Sequence, residues 1–143
     1  MNAKKAWMHT PDAGGVKIPP PVRSRITERI TRYAEAQYGG RYSRLNIRYR
    51  GVFCYIDAYV EPTEPSPELL NITGETREEF MDRMRNTPVH LCRLRYFGDE
   101  DAWGLAFYTY SNERYELCMF RSGGFFGPVE EAFDIGAMYL SAE

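Results

Sequence analysis

Two histidines and three cysteines are this chain's whole supply of near-neutral or soft side-chain chemistry. His90 opens the alternating stretch Val89–Phe97, and as a base beside Cys54 or Cys92 it would make a nucleophilic pair. A histidine satisfied at a sheet edge is the simpler reading. His90 with Cys54, Cys92 and Cys118 would make a thiolate metal site, but structural zinc sites draw on close-spaced cysteine pairs and no C-x-x-C occurs here. Free thiols buried in a reducing compartment account for all three. There is also no G-x-S-x-G elbow, phosphate loop or H-E-x-x-H. Ser122-Gly123-Gly124 before a helix offers an anion cradle, yet Glu130 and Glu131 in that helix's first turn carry the wrong charge. No catalytic residue, metal ligand or cofactor is expected.

The residues with the best claim to function are arginines and rings. In Tyr42–Val60 (YSRLNIRYRGVFCYIDAYV), read as two strands joined at Arg50–Gly51, Tyr49, Ile47 and Leu45 oppose Val52, Cys54 and Ile56 on an oily face. The opposite face pairs Arg48 with Phe53, Asn46 with Tyr55, Arg44 with Asp57 and Tyr42 with Tyr59. Arg44 and Asp57 are then a cross-strand ion pair that sets register. Arg48, Phe53, Tyr55, Asp57 and Tyr59, joined by Arg93 and Arg95 from Val89–Phe97, make up the candidate binding surface. Tyrosine and arginine dominate protein interfaces, so a partner chain or a second copy is the expected occupant and a homodimer the expected state. Nucleic acid is the alternative, because rings and guanidinium groups on a sheet stack bases and hold phosphates. A pI near 5.8 weighs against it. A small enzyme without a recognisable motif is a third reading.

Elements must position these residues. Val22, Ile26, Ile30, Ala34 and Tyr38 recur every fourth residue, which predicts a helix from Pro21 to Tyr38, closed by Gly39-Gly40. Its arginines are expected on a solvated face. The prolines of Glu61–Glu75 predict an exposed acidic loop, and the capping box Thr76–Glu79 a short helix to Arg85. Val89–Phe97, Ala102–Tyr110 and Tyr115–Phe120 are expected strands, and Pro128–Leu140 a last helix packed through Val129, Phe133, Gly136, Ala137 and Leu140. The result is an α+β fold of order α-β-β-α-β-β-β-α, a five-stranded antiparallel meander with helices on one face. Residues 1–17 are expected as a flexible arm and 18–143 as one domain.

Charge is uneven. From Arg23 to Arg50 eight arginines face two glutamates, a local +6, whereas Asp57–Glu79 holds seven acids and one arginine, a local −6. These acids folding back over the arginine face is the plain alternative to an interface. No apolar run approaches the roughly 20 residues of a membrane span, and residues 1–17 lack the apolar centre of a secretory signal. A cytoplasmic protein without membrane contact is expected.

In IPPPVRSRI (Ile18–Ile26), RYRGVFCYIDAYVEP (Arg48–Pro62) and HLCRLRYFG (His90–Gly98) the chain resembles a group of small bacterial conserved hypothetical proteins. The resemblance implies a free-standing bacterial protein and assigns no activity, partner or residue role. Arg50-Gly51-Val52-Phe53 is also similar to the basic-glycine-aromatic signature of RNA-binding sheets, but its glycine falls in a turn and the helix order differs.

Overall fold

Val22, Ile26, Ile30 and Ala34 are all buried, and they form the inner stripe of α1 (Pro20–Tyr38). The computed structural model describes residues 11–140, so Trp7, Met8 and His9 of the expected arm lie outside the described residues. After α1 come β1 (Arg44–Arg50), β2 (Phe53–Tyr59), α2 (Pro67–Thr73), α3 (Arg77–Arg85), β3 (Val89–Arg95) and β4 (Trp103–Thr109). The chain then forms β5 (Arg114–Leu117), β6 (Phe126–Gly127), α4 (Val129–Gly136) and a 3-10 turn at Ala137–Tyr139.

The sheet is antiparallel with strand order β1-β2-β3-β4-β5, and the fold is α+β. A sixth strand adds to the expected five. β5 ends at Leu117, which leaves the Trp103–Gly104 end of β4 unpaired until β6 returns beside it. Two residues are too short a run for periodicity to reveal. On the sheet's first face, α4 lies across β3 and β4 while α1 packs on α4 and β1. Ile26, Ile30, Ile56, Leu94, Trp103 and Phe133 are fully buried between these layers. The approach is close: a Cβ at Gly136 would sit 2.9 Å from the Leu91 backbone.

Two local expectations need correction. Glu61–Glu75 is not loop throughout, because it contains α2. Ser66 caps that helix by accepting from the Leu69 N–H at 3.1 Å, Pro67 supplies the preset first position, and Gly74 closes it in the left-handed region at φ 73°. The helix buries no residue, so its caps hold it rather than core packing, and the ion pairs Glu64–Arg77 and Glu75–Arg83 tie the chain on either side of it to α3. The hairpin register also moves by two residues. Gly51 and Val52, not Arg50 and Gly51, form the turn, with Gly51 at φ 61° as a glycine-first hairpin turn requires. Arg44 therefore faces Tyr59, and Asp57 faces Asn46. An even shift leaves every side chain on its expected face.

The arginines of α1 are not simply solvated. Arg25 meets Glu100 at 2.7 Å, and Arg29 grips both oxygens of Glu130 at 2.7 and 3.0 Å, tying α1 to α4. Deeper in the same seam, Tyr33 and Tyr38 donate their hydroxyls to Asp134 at 2.8 and 2.7 Å. Burial first, and then the bond to Asp134, push both phenols up to about 12. The folded chain thus holds these protons more tightly than the unfolded chain, whose phenols titrate near 10. Stability from this seam is full below about pH 10 and is lost as pH rises towards 12. Urea midpoints measured between about pH 9 and 12 should fall across that window. A flat profile would contradict the assignment.

Candidate functional site

Asp57 is 2% exposed, the one charged residue buried among those described. A bulge places it. Ile56 faces Cys92 and Asp57 faces His90, so Leu91 is the extra residue of β3 and His90 turns onto the second face beside Asp57. One carboxylate oxygen accepts from Arg48 Nη2 at 2.9 Å, and the other lies 2.9 Å from His90 Nδ1. A carboxylate accepts only, so Nδ1 carries a proton, and in the neutral ring Nε2 holds the lone pair. The imidazole sits 4.7 Å from the Tyr108 ring and parallel to Tyr110 at 6.4 Å, while the Tyr110 hydroxyl accepts the His90 backbone N–H at 2.8 Å. Tyr115 reaches in from β5, 6.3 Å from the imidazole, and its hydroxyl is buried without a hydrogen-bond partner among the described residues. Burial, followed by the charge of Asp57, pushes that phenol up.

This geometry corrects two sequence readings. The ion pair of Asp57 is with Arg48, diagonal to it, because the register moved; Arg44 instead lies over the Tyr59 ring at 3.7 Å. Nor does His90 serve Cys54 or Cys92. Cys54 faces Leu94 and Cys92 faces Ile56 on the helix-covered side, with the sheet between them and His90. Burial pushes the Cys54 thiol up to about 12 and the Cys92 thiol up as well, so neither is a thiolate near neutrality. Cys118 lies just past β5, and no group of three histidine, cysteine or acidic residues among those described could hold a metal.

Arg48, Phe53, Tyr55, Asp57, Tyr59, Arg93 and Arg95 all lie on the second face. Phe53 faces Arg95 and Tyr55 faces Arg93 across β2 and β3. Guanidinium groups cover the rings: Arg48 over Tyr55 at 4.8 Å, and Arg93 and Arg95 over Phe53 at 4.2 and 4.6 Å. These contacts are cation–π attractions, which hold arginine side chains in place without using their N–H donors.

Arg93 and Arg95 differ in what those donors do. Arg95 gives two of them to the Gly14 and Asp12 carbonyls at 2.7 and 2.9 Å, pinning residues 12–14 against this end of the sheet. Burial, then the neighbouring Arg93, pull its pKa down. Arg93 lies between Phe53 and Tyr115, 5.3 Å from the latter, and has no hydrogen-bond or ion-pair partner among the described residues. Beside it is a cavity of about 130 Å³ over Gly104 and Ala106, with Arg95, Tyr115, Leu117 and Pro11 as walls.

The acidic segment does not neutralise these arginines. Glu61, Glu64 and Glu75 pair with Arg85, Arg77 and Arg83 of α3, and no hydrogen bond or ion pair joins residues 61–85 to the second face among the described residues. The sequence reading overlooked Tyr108, Tyr115 and the small residues of β4. The signal for Tyr108 and the small residues was present in AWGLAFYTY, whose alternate positions Gly104, Ala106, Tyr108 and Tyr110 run from small to large along one face.

No family model, curated protein or solved structure matches this chain. Among the described residues, no helix is long and apolar enough to cross a membrane.

Proposed function

We propose that this protein acts by binding rather than by catalysis, using its second sheet face to hold another protein chain, in the simplest case a second copy. The observation that carries this reading is the pairing of the acidic segment with its own α3 arginines, which leaves Arg44, Arg50 and Arg93 of the face without an acidic partner among the described residues. Arg44, Arg48 and Arg50 are exposed, whereas the rings beneath are half-buried and ordered, a surface of preset donors on apolar supports. The overall net charge of −2 hides this positive face.

Light scattering over a range of concentrations tests the proposal. The wild type should associate, and Arg44→Glu with Arg50→Glu should return it to monomer, since both residues are exposed and lack ion-pair partners among the described residues. A wild type monomeric at every concentration removes the second copy. Salt-dependent retention on single-stranded nucleic acid would replace the protein partner with a phosphate backbone.

One observation favours a second, catalytic reading. In the neutral His90 ring Nε2 is a base of fixed tautomer, backed by a buried carboxylate, with the Tyr115 ring 6.3 Å from the imidazole. That reading requires a turnover lost in His90→Gln with the fold intact.

A further inference from the structure

We infer that the depression beside Arg93 is a site for a single carboxylate on a short apolar stem. The inference rests on the reading of the second face as the binding surface and gives that face a ligand chemistry.

The depression exists because of the central strand. On the second face β4 presents Gly104 and then Ala106, while its neighbours carry Arg95 and Arg93 on one side and Leu117 on the other. Side chains on flanking strands therefore rise above a floor that has almost none. Gly104 keeps its place because the chain crosses it closely: a Cβ there would meet the Pro11 carbonyl at 3.1 Å. The space is about 130 Å³. Drug-sized and cofactor pockets run from about 300 Å³, so a small group fits and a nucleotide does not.

Charge selects the group. Arg93 and Arg95 against Asp12 leave the lining at +1, which one negative charge neutralises. Among the described residues Arg93 has its ring contacts and no acceptor, so its N–H edge is the open donor set, and a guanidinium fork matches a carboxylate with two parallel hydrogen bonds. Phosphate sites gather backbone N–H groups at helix starts or glycine loops. Here no lining residue belongs to a helix, and the floor is the hydrogen-bonded backbone of a sheet. Leu117, Ala106 and Pro11 supply apolar walls for a stem of a few carbons. Such a carboxylate comes from a free short-chain acid or from the end of a peptide.

Amide-resolved NMR titration tests this with sodium butyrate, inorganic phosphate, and one short peptide with either a free or an amidated C-terminus. Butyrate should produce saturable shifts centred on Arg93, Gly104, Ala106 and Leu117, and phosphate should not. Ala106→Val fills the floor while keeping every arginine, and Arg93→Gln keeps the shape while removing the charge. Each should weaken butyrate binding by about tenfold or more, the scale of losing one charge-assisted contact. Arg32→Gln, exposed on α1 across the sheet from the depression, should leave it unchanged. A peptide that binds only with its free terminus assigns the site to chain ends, and butyrate alone assigns it to free acids. Absence of saturable shifts from every carboxylate overturns the inference, as does wild-type affinity in Ala106→Val and Arg93→Gln. If the pocket fails while association still responds to Arg44→Glu and Arg50→Glu, only the pocket is lost. If butyrate binds a protein that never associates, the second copy is removed as partner and the pocket stands.

Discussion

Arg48→Ala lowers stability by about 2–3 kcal/mol, although the arginine side chain is 45% exposed. The cost does not come from the arginine. Asp57 beneath it is 2% exposed and relies on Arg48 for one oxygen and His90 for the other. Removing one partner of a buried pair typically costs roughly 3–5 kcal/mol, and His90, still in place, keeps this loss lower. The asymmetry is the test. In the double variant Arg48→Ala, Asp57→Val the buried charge is gone and a good strand residue replaces it, so stability should return to within about 1 kcal/mol of wild type. Urea unfolding with an unchanged slope would measure both. A double variant as unstable as Arg48→Ala would show that packing, and not the stranded carboxylate, sets the cost. For the same reason Arg48 is a poor probe of partner binding.

Phe133→Ala should be the most damaging single truncation, at about 3–5 kcal/mol out of the roughly 5–15 kcal/mol that hold a domain together. Phe133 is fully buried at the centre of α4. Tyr33 meets its ring edge-on with centroids 6.5 Å apart, and Tyr38 packs at 5.4 Å. Losing the ring leaves a cavity and also takes the wall from the two phenols bonded to Asp134. The alkaline loss of stability should then begin at lower pH than in the wild type. Met138→Ala, at a residue 61% exposed on the following 3-10 turn, should change stability by no more than about 0.5 kcal/mol. Comparable losses at the two positions would mean that the α1–α4 seam is not where the core is anchored.

How much of this was legible beforehand depended on the range of the interaction. The fourfold stripe of α1, the capping box at Thr76 and the alternation in β1 to β4 are local patterns, and each fold element they imply is present. α2 was legible too, from Ser66-Pro67-Glu68 with Gly74 behind, but the surrounding prolines drew the reading towards loop. The two-residue error in the hairpin arose because Arg50-Gly51 and Gly51-Val52 both put glycine in the turn. The oily and charged faces survived it because side chains repeat every two residues.

Side-chain alternation along each strand, a property of the chain alone, determined the two-layer α+β fold and the arginine-and-ring character of the second face. The partners of those side chains were decided only by the tertiary structure. A bulge at Leu91 brought His90 to Asp57, the acids of residues 61–85 went to α3, and two small residues of β4 opened a hollow beside Arg93. Asp57 meets His90 33 positions away and Glu61 meets Arg85 24 away, and one inserted residue in a ladder redirects such pairings, so no local pattern in the sequence carries them.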